Sequence, residues 1–390
     1  MIMSSSLRTL TYGCFRKQVN PVIFRLSGFN YPDPVISTSQ RRCLFTDEVL
    51  GVDRFVHFRD RVLSQFGRNK EKFLERLEEH LKKEDSVVLS EDLKNLIFLC
   101  ENNENDINLL KQAINKFEKQ NESLRFGTFQ FGPVVMRLAH HLNQPDMALS
   151  LMEKDKINFY SQLSSVTISL DLLFKNERYE DVVKLFTFVT ENYKFDAKYP
   201  NDFVTLYMAA CYKINTLETF DQSYRLLRAL KLSSVPLKIR SISFFLALAV
   251  NQNQPNICLE IIQQLHLKSY SLVIQSIRLL AFAQIERYKD VCDIIKYNLR
   301  TDRAVNKTKV VFQESLNQIE QSINASGKED VIQEFANLVK NLDESGLIEK
   351  EQTIDQALMQ PLEYVRKSKS QPPPKVNFQW SSEEVVKVKA

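Results

Sequence analysis

The sequence predicts an all-α fold, an α-solenoid of degenerate helix-turn-helix repeats. Three observations lead there. The first is the stretch Val166 to Phe186, which reads as two short helices joined by the polar turn Lys175-Asn-Glu-Arg178. Val166, Leu170, Leu173 and Phe174 keep helical spacing before the turn, and Tyr179, Val182, Val183, Phe186 and Val189 keep it afterwards. A lone hairpin of this size cannot bury its apolar faces, so it needs like neighbours on both sides. The second observation is that the unit recurs. Asn176-Glu-Arg-Tyr-Glu-Asp-Val182 returns as Ile285-Glu-Arg-Tyr-Lys-Asp-Val291. Apolar pairs at Leu151-Met152, Leu185-Phe186, Leu226-Leu227, Ile261-Ile262 and Ile294-Ile295 step by 34, 41, 35 and 33 residues. The third is composition. With 8 Gly in 390 residues and 44 % hydrophobic content, long stretches rich in Leu, Ile, Lys and Glu favour helix and supply a continuous core.

In chain order, residues 1–43 stand apart from the fold. The first 45 residues hold six basic side chains (Arg8, Arg16, Lys17, Arg25, Arg41, Arg42) and one acid, Asp33, among many serines. That is the composition of a mitochondrial presequence, with cleavage expected near Arg42. Residues 44–125 form an N-terminal helical region that includes one degenerate repeat. Thr46 is its first helix cap, with acids behind it. Helices are expected over 52–68, 70–83, 93–100 and 107–117. The charged run Glu71 to Lys83 reads as a solvated face.

The repeat array is expected over 126–300, clearest at about 160–195. Phe126 to Pro133 leads into a helix over 134–142, with Pro133 in its first turn. The longest gap between repeats contains Tyr193 to Asn201, read as a longer loop. Residues 301–360 are expected to cap the array with helices over 310–323 and 331–342. From 361 to 390 the chain turns basic and contains Pro372-Pro-Pro374, a disordered tail.

Several function classes find no support. The cysteines Cys14, Cys43, Cys100, Cys211, Cys258 and Cys292 form no C-x-x-C pair, and the five histidines form no zinc motif. No metal site or cofactor is expected, and the cysteines read as reduced, buried thiols. The glycines near Phe126 make no G-x-G-x-x-G loop after a strand. No apolar run is long enough for a membrane span, so membrane insertion is not expected.

Paired helices near 35 residues, a lysine-containing turn and a second helix that begins aromatic-acidic-acidic-Val together resemble the pentatricopeptide repeat. Leu44-Phe-Thr-Asp-Glu-Val-Leu50, Phe129-Gln-Phe-Gly-Pro133, Leu172-Leu-Phe-Lys175, Ala210-Cys-Tyr-Lys213 and Leu246-Ala-Leu-Ala-Val-Asn-Gln-Asn253 extend the likeness to an animal mitochondrial member of that family, over roughly 44–300. The resemblance implies a right-handed solenoid, mitochondrial matrix location, and a non-catalytic, RNA-binding role in maturation of mitochondrial mRNA and so in respiratory-chain function. The implied partner is mitochondrial single-stranded RNA, such as mRNA precursors, with RNA-processing proteins or the ribosomal small subunit as protein partners. A related member of the ribosomal small subunit gives the alternative, a structural scaffold.

In the family pattern, first helices line a concave face where a polar residue early in each helix contacts a base. By alignment that role falls on Thr167, with Thr205, Ser243 and Ser276 as looser counterparts. The assisting end-of-repeat position falls near Pro200 and at Pro133, which offer no polar side chain, so no base-by-base code is expected. Phosphates would fall to Lys175, Arg178, Arg240 and Arg278, together with Arg137 and Lys213. The basic ends leave residues 46–360 with more acids than bases, so these cations must gather on one face to bind RNA. No nuclease or deaminase domain follows the repeats, and Asp181 and Asp290 read as solvent-facing carboxylates. An enzyme is not expected.

Overall fold

The structure, a computed structural model, describes residues 44–83, 86–120, 129–150, 161–193, 199–232, 237–265, 271–300 and 308–361. The presequence and basic tail read from the sequence lie outside these residues, apart from Pro361, as does most of the loop after Tyr193. The described chain is an all-α repeat solenoid.

It opens with α1 (Asp47–Leu50), α2 (Val52–Phe66), a 3-10 turn at Gly67–Asn69, α3 (Lys70–Leu81), α4 (Ser90–Leu99) and α5 (Glu104–Lys119). The Thr46 hydroxyl accepts from the Val49 N–H, as its capping position requires. Gly51 closes α1 and opens α2 at φ 71°, a left-handed conformation that lets two helices meet at a sharp corner. Gly67 then ends α2 before the 52–68 span expected from periodicity is complete.

Hairpins follow: α6 (Gly132–His141) with α7 (Pro145–Ser150), α8 (Leu163–Lys175) with α9 (Tyr179–Asn192), α10 (Asn201–Ile214) with α11 (Leu217–Leu232), α12 (Ile239–Asn251) with α13 (Pro255–Gln264), α14 (Leu272–Gln284) with α15 (Tyr288–Arg300), and α16 (Gln313–Ser326) with α17 (Glu329–Glu344). First helices stack on one another from α6 through to α16, second helices α7, α9, α11 and α13 wedge against the next first helix, and α15 packs against α17. The first helices in the middle of the stack are therefore surrounded. Every residue from Phe203 to Tyr212 and from Ser241 to Asn251 is buried.

A regular device makes each turn. Asn143, Glu177, Asn215, Asn253, Glu286 and Gly327 all have φ between 52° and 67°. In four of these turns the next N–H reaches back to a helix carbonyl five residues earlier: Gln144 to Ala139 at 2.8 Å, Arg178 to Leu173 at 3.0 Å, Gln254 to Ala249 at 2.8 Å and Arg287 to Phe282 at 3.0 Å. This left-handed cap satisfies carbonyls that a helix end leaves unpaired. Side-chain amides then link successive turns. Asn176 donates to Asn143 Oδ1 at 2.9 Å, Gln252 to Asn215 Oδ1 at 2.8 Å, and Gln284 to the Val250 carbonyl at 2.9 Å.

The C-terminal region departs from the helices expected there. Val311–Phe312 is extended and pairs in parallel with Ile348–Glu349. Helix α16 therefore starts at Gln313, with Phe312 as its cap. After α17 the chain turns back at Gly346, makes that pairing, and forms a short helix, α18 (Ile354–Leu358), behind a Thr353/Gln356 capping box.

Candidate functional site

The face expected to read RNA is covered in part by two segments of the chain itself, residues 44–50 and 354–358. At the N-terminal side, Leu44 and Phe45 are fully buried and α1 packs against α8. Arg137 on α6 donates to the Leu50 carbonyl at 3.1 Å, which holds the segment down. At the C-terminal side, α18 lies on α12 and α14 with Ile354 and Leu358 buried. Lys213 pairs with Asp355 at 2.7 Å. Arg240 donates to the Ala357 carbonyl and, at 2.9 Å, to the Leu358 carbonyl. Lys309 reaches the Ile348 carbonyl at 2.8 Å, and the Ile354 N–H donates to Glu314 at 3.4 Å.

This cover decides where the sequence-expected residues stand. Thr167 is partly exposed, and its hydroxyl donates back to the Leu163 carbonyl at 2.9 Å. Thr205 is fully buried, bonded to the Asn201 carbonyl and to the Ser241 hydroxyl at 2.7 Å. Ser243 is buried and donates to the Ile239 carbonyl at 2.9 Å. Ser276 is buried and accepts the Phe312 N–H at 3.2 Å, so it anchors the extended segment. The expectation that Thr205, Ser243 and Ser276 present hydroxyls to a base is thus corrected: first helices in the middle of the stack have no open face.

The cations are redirected in the same way. Arg240 is committed to the C-terminal segment, and burial pulls its pKa below the ordinary guanidinium value. Arg137 is half-buried and likewise lowered, by burial first and then by Arg54. Arg178 pairs with Asp146 and Asp181, and the Asp146 hydrogen bond raises its pKa. It joins its own turn to the preceding hairpin. Arg278 lies over the Phe282 ring with 5.7 Å to the centroid. Lys175 is partly exposed at the end of α8. The expected set therefore does not converge into one basic groove.

One polar cluster was not anticipated. Asp171 stands in the apolar run Leu170 to Phe174 and is fully buried. Its Oδ2 meets His140 Nε2 at 3.1 Å, and the Phe45 backbone N–H is directed at the same carboxylate. Its Oδ1 has no partner among the described residues. Burial raises the Asp171 pKa, opposed by His140 and Phe45. The second ring nitrogen of His140 lies 3.8 Å from Asp47 on α1. The signal was available: an acid at an inward helical position needs a partner, and the N-terminal segment supplies part of one. The turn amides carried a similar signal, since Asn143, Asn176, Asn215, Gln252, Asn253 and Gln284 recur at the repeat spacing.

The described cysteines are free thiols in the interior, and burial pushes Cys100 and Cys211 up to about 12. Among the described residues no group of His, Cys, Asp and Glu could hold a metal ion, and no helix is long and apolar enough to cross a membrane.

No protein-family model matches the chain. Curated relatives do. The chain is 28 % identical over 277 residues to the mouse (Mus musculus) protein named pentatricopeptide repeat-containing protein 2, mitochondrial, a match covering 71 % of each chain. To the protein of that name from Xenopus laevis it is 28 % identical over 57 % of each chain. To the Homo sapiens protein it is 29 % identical, over 55 % of this chain and 54 % of the human one. The repeat architecture and a mitochondrial location agree with that shared name.

Proposed function

From this likeness we propose that the chain is a non-catalytic mitochondrial RNA-binding factor acting in the matrix in the maturation of mitochondrial mRNA, and through it in respiratory-chain function. The observation that carries the reading is a helical repeat array combined with similarity to mitochondrial pentatricopeptide repeat proteins across 214 to 277 residues. Helical repeat arrays of this kind offer stacked surfaces to extended single strands. With most expected groove cations committed to the chain's own segments, recognition would rest on shape and on few contacts rather than on one base per repeat. The direct test is crosslinking in intact mitochondria followed by sequencing of the attached RNA. Enrichment of mitochondrial transcripts supports the reading, and absence of any enriched transcript rejects it.

A second reading has its own support. A face roofed by protein, in a body with more acids than bases, suits a scaffold bound to the mitochondrial ribosomal small subunit. Co-sedimentation with that subunit after nuclease removal of free RNA would favour it.

A further inference from the structure

We propose that the outward face of α2, not the first-helix face of the repeats, is the surface on which this chain holds single-stranded RNA. The inference rests on the RNA-binding reading above and deepens it.

Arg54, Phe58, Arg61, Gln65 and Arg68 follow one another at spacings of four, three, four and three. At 100° per residue the first four fall within an arc of about 60°, and Arg68 follows in the 3-10 turn past the helix end. All five are exposed, Phe58 at 54 %. The Arg61 guanidinium lies over the Phe58 ring, 5.3 Å from its centroid. Among the described residues Arg54, Arg61 and Arg68 make no hydrogen bond or ion pair. The nearest helical acids, Asp53 and Asp60, lie about 100° to one side of the stripe. Arg137 adds positive charge beside Arg54.

Repeat-face cations such as Arg240, Lys213 and Arg178 are held by carboxylates or carbonyls. On α2, Arg59 is held by the Cys100 carbonyl at 2.7 Å, whereas Arg54 and Arg61, with Arg68 just beyond the helix, are free among the described residues. Three free guanidinium groups fit a polyanion, and an exposed ring in their midst fits a stacked base. An anionic membrane fits less well. A surface helix binds lipid through a broad apolar side, and the apolar side of α2 (Val52, Phe55, Val62, Leu63, Phe66) is packed on the core.

The test is equilibrium binding of the full chain to a short fluorescein-labelled single-stranded RNA of mixed sequence, across a salt series. The stripe is exposed, so its variants should melt like wild type. Arg54→Gln/Arg61→Gln/Arg68→Gln is expected to weaken binding on the order of 10- to 100-fold. It should also make the log-log salt slope shallower by about 2, three contacts at ~0.7 each. Phe58→Ala should weaken binding roughly tenfold, and Phe58→Tyr should restore it. If wild type binds this RNA and the stripe variants bind equally well, the α2 proposal is overturned while the RNA reading stands. Failure of wild type to bind overturns both. Stripe-dependent capture by phosphatidylserine vesicles or an acidic peptide, with no stripe effect on RNA, also overturns the proposal.

Discussion

Thr167 and Ser243 occupy the same place in two hairpins and meet opposite surroundings. Each hydroxyl donates to the carbonyl four residues back, at 2.9 Å in both cases. Thr167 stays partly open, and its helix begins with Leu163 exposed at 46 %. Ser243 is buried, and Arg240 one turn before it is bonded to the C-terminal segment. Local chemistry is thus common to the two helices. Exposure is set by which distant segment lies on top, an effect that no window of sequence around Ser243 contains.

The largest break in this comparison should come from the N-terminal cover. Asp171→Ala leaves His140 and the Phe45 N–H without their buried acceptor and opens a small cavity. A stability loss of about 3 kcal/mol in urea unfolding is expected. The pH dependence has a definite sign. Burial raises the folded-state pKa of Asp171 above its free value of 3.8. The folded protein therefore binds this proton more tightly than the unfolded chain. That contribution is full below 3.8 and is lost as pH rises through the folded-state value. Wild type measured against Asp171→Asn should lose relative stability from about pH 4 upward. A constant difference across that window would remove the buried carboxyl as its source.

At the other end, Leu358→Ala empties a packed site under α18 and should cost about 2–4 kcal/mol. Leu163→Ala, on the open hairpin, should stay within about 0.5 kcal/mol of wild type. Similar losses at both positions would mean that the C-terminal segment contributes no more packing than a surface side chain.

The corner at Gly51 comes next. A Cβ there would lie 3.3 Å from Arg137 Nε and would have to accept φ 71°. Gly51→Ala should cost about 1–2 kcal/mol. Arg137→Ala in the same background should recover only the steric part, which separates backbone strain from crowding.

These differences mark what the sequence could and could not reveal. Helical period is local, so α8, α9 and the recurring second helices were legible from Leu, Val, Ile and Phe spacing. Turn positions were half legible: Gly327 and the asparagines are residues that favour left-handed backbone, whereas Glu177 and Glu286 are not. The extended pairing at Val311–Phe312 was hidden, because its partner lies beyond α17 and only the paired backbone marks it. Of the site, the polar residue types were legible and their solvent access was not. Thr205 and Ser276 look like surface hydroxyls in sequence because Ser241 and Phe312, which satisfy them, lie 36 residues away. The α2 stripe was equally present as spacing, but the span also reads as an ordinary amphipathic helix until the free state of its arginines is seen.

The smallest effect runs toward greater stability. Glu177 and Glu286 hold left-handed backbone at φ 59° and 58°, where a side chain crowds the adjoining carbonyl. Asn143 and Asn253 hold nearly the same φ, 53° in each, with a side chain that tolerates it. Glycine at either glutamate relieves the strain but loosens the unfolded chain, and the two effects partly cancel. A gain of roughly 0.5–1 kcal/mol is expected for Glu177→Gly and again for Glu286→Gly. Asn143→Gly should gain nothing and also forfeits its bond to Asn176, at 2.9 Å. Urea midpoints of the three variants check the ordering. An equal response at glutamate and asparagine turns would show that the bonds across each turn, not the residue holding the left-handed position, set its stability.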